Sequence, residues 1–335
     1  NKIIKINMNL IKLNIKFFLS WTFLIIINYF LILFLIYILS AILLVNKITP
    51  NIPLINEYQK NFYTLGLWKI WHSQPECIEF SDKLIYVPKE TSCNFSNIEF
   101  STKISFDEFG RVSDHPINSN NTGIAVLGDS HAMGWGVNDN ETFSYLLEKK
   151  INRPVYNLAV SGYGTVRELI RLQESGLIDS IDTIIFQYCY NDHGENIYYK
   201  KTSTEIAREK YNLVKEGREF SVWKKLRKSF RYSIKIAGEV IFNKKEPFTF
   251  DHHNESFIQV LKKFDFLKDK RIIVFYVNGH QQEFSNFPSG KSKDFDNLEY
   301  IDLNIEEDTS NFYLIDGHLN STGHMKIAEK ISKLF

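Results

Sequence analysis

Three cysteines in 335 residues are too few for a disulfide scaffold, and the chain has no CxxC pair, so nothing indicates a zinc site. Net charge is nearly absent. Forty basic against 39 acidic side chains leave +1, which removes the bulk electrostatic case for a nucleic-acid partner. No internal repeat is present, and Gly134 and Gly136 fit no nucleotide fingerprint. No metal or cofactor is therefore expected. The chain opens on Asn1 rather than Met, with Met8 as an internal candidate for a start.

A further absence is local. From Phe17 to Val45 not one charged residue occurs, and the polar members are Ser20, Thr22, Asn28 and Ser40. A bilayer is crossed by about 20 apolar residues, whereas the apolar core of a cleavable signal is about 7–15 residues followed by a small-residue site. The stretch is too long for a signal, and residues 17–45 are expected to be an uncleaved transmembrane helix. Lys2, Lys5, Lys12 and Lys16 precede it with no acid among them, while Lys47, Glu57 and Lys60 follow. The positive-inside rule then puts residues 1–16 in the cytoplasm and the bulk of the chain outside, on a single-pass inner-membrane protein. In an exported chain the neighbouring Cys77 and Cys93 are candidates for a disulfide. Cys189, at the end of an apolar run, is left over.

Beyond the span, residues 46–122 show no periodic helix. Trp68, Trp71, Tyr86, Phe95 and Phe100 supply packing groups, so the segment reads as an extracytoplasmic arm wrapping a main domain over 123–335. That domain alternates strands with helices. Strands are expected at Ile124–Leu127, Val155–Val160, Ile181–Tyr188, Ile272–Val277 and Phe312–Ile315. Helices are expected at Glu141–Ile151, Val166–Leu172, Phe257–Phe266 and from Ser321, the last burying Ile327, Ala328 and Ile331. Such alternation implies a parallel sheet with helices on both faces.

Residues of about 193–250 interrupt this pattern as an insertion. Lys224, Lys225, Arg227, Lys228, Arg231, Lys235, Lys244 and Lys245 face a single acid, Glu239, and Trp223, Leu226, Phe230 and Ile234 recur at helical spacing. The segment reads as a lid helix whose apolar stripe packs on the domain and whose charges are solvated. The alternative is a basic face turned to an anionic membrane or glycan.

The chemistry gathers where strands end. Ile124–Leu127 runs into Gly128-Asp129-Ser130-His131; the second strand into Ser161-Gly162-Tyr163-Gly164; the third into Cys189-Tyr190-Asn191-Asp192; the fifth into Asp316-Gly317-His318. In a parallel sheet those ends meet in one crevice. Ser130 is the nucleophile candidate, and a serine needs a base to take its proton. His318 is the best base, with Asp316 to orient its ring. The backbone N–H groups of Ser130 and Gly162 and the amide of Asn191 suit an oxyanion. His131 is read as a substrate-side or packing residue, His324 as a structural or capping one, and Asp129 and Asp192 as acceptors that fix loops.

These four blocks resemble those of the SGNH (GDSL) hydrolase superfamily, in particular its bacterial esterase-like branch. The likeness covers Ile124–Asp192 and roughly the last 25 residues. It implies a flavodoxin-like three-layer α/β/α fold and a serine acyl-enzyme. It also implies Ser130, Asp316 and His318 as triad and Ser130, Gly162 and Asn191 as oxyanion donors. Two departures stand out. Cys189 replaces the usual glycine two residues before the asparagine, and Asp-x-His replaces Asp-x-x-His, a spacing similar to that in SGNH-like polysaccharide acetylation proteins. The expected function is a membrane-anchored extracytoplasmic ester hydrolase acting on an acyl ester of a cell-envelope glycan or lipid. The alternatives are an O-acyltransferase of a surface glycan using the same triad, and a glycan-binding module with a decayed site.

Overall fold

In the computed structural model the described residues are 2–64, 71, 74–114, 122–198, 249–279 and 283–335, with 209–210, 212, 231–232, 234–238 and 240 between them. The chain divides into two compact units, Asn1–Gly66 with Ser221–Lys245, and Leu67–Phe220 with Glu246–Phe335.

The first unit is helical. Helix α1 runs over Lys2–Val45, and its apolar part, Phe17–Val45, has a mean hydropathy of 2.6 and is long and apolar enough to cross a membrane. A second helix, α2 (Pro53–Phe62), was not expected from the sequence. Its signal is Pro53 at the first turn, where a missing N–H costs nothing; few apolar residues follow to mark a stripe. Tyr37 of α1, Tyr58 of α2 and Ile236 are buried together. Most of the expected lid helix lies outside the described residues. In the part that is described, Ile236 and Ala237 are buried while Ile234, expected in the apolar stripe, is 40% exposed.

The second unit is built on a nine-stranded sheet. Its strands are β3 (Ser92–Ser96), β4 (Ser101–Asp107), β5 (Gly110–Arg111), β6 (Gly123–Leu127), β7 (Val155–Asn157), β8 (Ile181–Tyr188), β9 (Arg271–Tyr276), β10 (Gly290–Lys291) and β11 (Leu298–Tyr300). The order across the sheet is β10-β11-β9-β8-β6-β7-β5-β4-β3, and the five strands from β11 to β7 are parallel. A separate hairpin pairs β1 (Ile78–Ser81) with β2 (Ile85–Pro88). The segment before residue 123 is thus more than an arm: β3, β4 and β5 extend the main sheet in antiparallel sense.

Side chains alternate across a strand, and β6 shows the consequence. Ile124 and Val126 enter one buried cluster with Phe143, Leu147, Ile327, Ala328 and Ile331. Ala125 and Leu127 enter another with Val166, Leu169, Leu172, Phe257 and Val260. Helices α4 (Phe143–Ile151) and α8 (Ser321–Ser332) therefore cover one face, and α5 (Thr165–Glu174) and α7 (Asp251–Leu261) the other, while α6 (Asp192–Tyr198) follows β8. The unit is a three-layer α/β/α structure.

Several boundaries differ from expectation for local reasons. The second strand stops at Asn157, whose side-chain oxygen accepts the Ala159 N–H at 3.2 Å and turns the chain. Helix α4 starts at Phe143 rather than Glu141, because Thr142 caps it by accepting the Tyr145 N–H. The helix expected at Phe257–Phe266 spans Asp251–Leu261. Phe312–Ile315 is not a strand. It makes one bridge, Phe312 to Leu319, and then a turn. The fifth parallel strand is β11, hidden in the sequence by its three-residue length and by Glu299 at its centre.

Candidate active site

From β6 the chain crosses to β7 on one side and then returns to β8 on the other. Such a reversal is where the binding crevices of open α/β sheets lie, and Ser130 follows the carboxyl end of β6 there. Gly128 makes the turn at φ +152, where a Cβ would lie 2.6 Å from that of Ala132 and 2.8 Å from Gln187 Oε1. Asp129 caps the short helix α3 (Ser130–Met133) by accepting the His131 N–H at 2.9 Å.

The strand-end blocks meet around this turn. Ser130 Oγ lies 2.7 Å from His318 Nε2, and His318 Nδ1 lies 2.5 Å from Asp316 Oδ1. The short Asp-x-His spacing therefore brings the two side chains together. Asp316 Oδ2 accepts the Trp135 indole N–H at 3.2 Å. The Asp316 side chain is buried, and that of His318 is 15% exposed. Burial opposes protonation of His318, but the charge and hydrogen bond of Asp316, with Asp129 behind, outweigh it and raise the imidazole above its ordinary 6.5. Burial pushes Asp129 itself upward, against its bond from the His131 N–H and the charge of His318.

Gly162 and Asn191 are exposed at the same edge. The Ser161 N–H reaches Met133 Sδ at 3.3 Å, which seats the Gly162 loop beside α3. Gly162 itself adopts φ +77, a left-handed conformation that glycine adopts without a Cβ penalty. The Asn191 amide donates to Asp129 Oδ2 at 3.3 Å. The turn at Cys189 closes despite the missing glycine, since Asp192 accepts the Cys189 N–H at 3.1 Å. Burial keeps the Cys189 thiol well above its ordinary range.

His131 packs its ring 4.8 Å from that of His318. His324 is buried and its Nδ1 accepts the Phe143 N–H at 3.1 Å, so it caps α4 from α8. Cys77 and Cys93 are joined in a disulfide, which links the β1–β2 hairpin to β3.

Four groups that hold these loops were not foreseen in the sequence. Gln187, buried in β8, accepts the N–H groups of Asp129 at 3.3 Å and Ala132 at 3.2 Å, and donates to Val277 O at 3.2 Å. Its signal was a lone amide at the end of an apolar strand. Arg111 of β5 is buried; its guanidinium donates at 2.6 Å to each of the carbonyls of Met133, Gly134 and Val137 and pairs with Asp139 at 2.9 Å. Tyr86 of β2 donates to Ser161 O at 2.6 Å, and Arg167 donates to Gly162 O. Nothing in residue spacing marks Arg111 or Tyr86, because each bonds to backbone carbonyls distant in the chain.

No family model and no curated protein matches the chain. Solved structures do. The chain is similar to structures of lipolytic enzymes. A lipase/acylhydrolase from Enterococcus faecalis shares 15% identity at a TM-score of 0.37, covering 64% of this chain and 95% of its own. A psychrotrophic esterase from Pseudoalteromonas sp. shares 14% at 0.34, covering 64% and 97%. A member of the lipolytic protein G-D-S-L family from Veillonella parvula shares 14% at 0.33, covering 64% and 98%.

Proposed function

We propose that the chain is a serine ester hydrolase held to the membrane by α1, with its α/β unit outside the cytoplasm, acting on an acyl ester of a cell-envelope glycan or lipid. The observation that carries the reading is the continuous line from Ser130 Oγ through the His318 ring to Asp316, at 2.7 and 2.5 Å. Asp316 accepts from Nδ1–H and leaves Nε2 to take the serine proton. The Ser130 oxygen attacks the acyl carbonyl. The developing oxyanion is met by the N–H groups of Ser130 and Gly162 and by the Asn191 amide. Protonated His318 then gives its proton to the departing alcohol. Water attacks the acyl carbon as His318 takes its proton, and His318 returns that proton to the departing Ser130 oxygen as the acyl group leaves as the acid.

The membrane part of the proposal rests on the apolar length of Phe17–Val45 and on the four lysines before it. The Cys77–Cys93 bond supports an oxidising compartment for the rest.

The test uses the full chain in detergent with simple acetyl esters, with and without glycan acceptors, beside Ser130→Ala. Acetate release that disappears in Ser130→Ala supports hydrolysis. Acetylated acceptor without free acetate assigns the triad to acyl transfer instead. Neither product, with the wild-type protein folded, ends the enzymatic reading.

A further inference from the structure

Glu99 lies in the turn between β3 and β4, at the antiparallel end of the sheet and far in sequence from the site. Its carboxylate nevertheless reaches the turn that carries Asp316. Both oxygens accept the Ile315 N–H, at 3.0 and 2.9 Å, and Oε2 accepts the Asp316 N–H at 2.7 Å. Trp135, which donates to the Asp316 carboxylate, packs edge-on against Phe100, the residue next to Glu99, with ring centroids 5.5 Å apart. One hairpin tip thus fixes the backbone of Asp316 and supports the group that fixes its side chain.

The choice of an acid at this place is costly in itself. Burial raises Glu99 above the ordinary carboxylate range, against the bonds from the Asp316 and Ile315 N–H groups, and the Asp316 charge adds to the rise. Oε2 alone takes both neighbouring N–H groups, and Oε1 shares that of Ile315, so the planar carboxylate meets two adjacent backbone donors at once. The Ile315 N–H would pair with a neighbouring strand if this stretch were a strand; Glu99 takes it instead.

We infer that Glu99 is a positioning residue, holding the backbone of Asp316 so that its carboxylate meets His318 Nδ1. This rests on the reading of Ser130, His318 and Asp316 as the triad. Glu99 touches no reacting atom and acts through Asp316 alone.

Turnover of an acetyl ester is measured on the full chain for Glu99→Ala, Asp316→Asn and the double variant, with Ser130→Ala as control. A misplacement of about 1 Å in a reacting group costs on the order of 10²-fold, so kcat of Glu99→Ala is expected to fall by roughly that factor with KM little changed. The double variant is expected to be no slower than Asp316→Asn, because the second loss has nothing left to act on. The low-field proton resonance of His318 Nδ1–H is expected to move in Glu99→Ala. Wild-type kcat in a folded Glu99→Ala, or penalties that multiply in the double variant, overturn the inference.

Should Glu99→Ala not fold, Glu99→Gln decides. It keeps one acceptor oxygen and removes the charge, while Asp316, Asp129 and His131 still face His318. Its kcat is expected between those of wild type and Asp316→Asn, with the acid limb of the pH profile moved down; a wild-type profile overturns the inference. Activity surviving in Ser130→Ala rejects the triad itself. Activity lost in Ser130→Ala but intact in Glu99→Ala rejects only the role of Glu99.

Discussion

Asp316 Oδ1 lies 2.5 Å from His318 Nδ1, across the imidazole from the Ser130 hydroxyl. The pairing sets the direction of a pH profile. A base must be neutral to act, and Asp316 holds the imidazole above 6.5 against its own burial. Activity of the free enzyme is therefore expected to rise with pH through a limb lying above 6.5. In Asp316→Asn the raising charge is gone and burial remains, so the limb moves down, and kcat falls by about 10²–10⁴-fold. The pH dependence of kcat/KM for the two proteins checks this; a limb that stays in place separates Asp316 from the titration.

Arg111 tests how far the loop after Ser130 depends on the strands before Gly123. Its buried guanidinium holds three carbonyls of the loop after Ser130 and pairs with Asp139. Truncation leaves buried carbonyls without their donor, a loss of about 1–3 kcal/mol for an unsatisfied group. Arg111→Met is expected to lower the urea midpoint accordingly at unchanged slope. A loss below about 1 kcal/mol, the scale of an exposed ion pair, contradicts the assigned role.

His324 gives a stability signature in acid. Burial, with the charges of Arg111 and His318, lowers it from 6.5 to about 3. Below pH 6.5 the unfolded chain binds a proton that the folded chain refuses, so this residue removes stability as pH falls toward about 3, by about 1.4 kcal/mol per unit. Urea unfolding of wild type and His324→Gln at pH 7, 6 and 5 is expected to show the shallower loss in the variant. Parallel curves contradict the buried neutral ring.

The Cys77–Cys93 bond spans a separation of 16 residues. Closing a loop of that size stabilises by about 3 kcal/mol in the chain-entropy account. The double variant Cys77→Ser/Cys93→Ser is expected to lose about that much by urea unfolding. Cys189, buried, is expected to resist thiol reagents until the protein unfolds. Equal stability with and without the bond, or fast labelling of Cys189 in the native state, goes against this.

Four strands of the parallel core and the candidate site were legible in the sequence for one reason: each candidate residue follows an apolar run, which is a strand before Ser130 and Asn191, a strand with a short extension before Gly162, and a buried turn before Asp316–His318. What was not legible acts at a distance. Arg111, Tyr86 and Glu99 sit on antiparallel strands or turns whose sequence has no period of its own, and each hydrogen-bonds a backbone more than 20 residues away. A backbone partner leaves no trace in the residue that supplies it. The stretch Phe312–Ile315 has the apolar pattern of a strand because Phe312 and Ile315 are buried, yet it belongs to no strand of the sheet.

The central claim is that His318 activates Ser130 as a nucleophile, and covalent capture tests it most directly. Wild type, Ser130→Ala and His318→Ala are treated with a fluorophosphonate and followed by intact mass and peptide mapping. One adduct on Ser130, absent in Ser130→Ala and formed far more slowly in His318→Ala, is the expected result. An adduct on another serine, or equal labelling rates with and without His318, would contradict it.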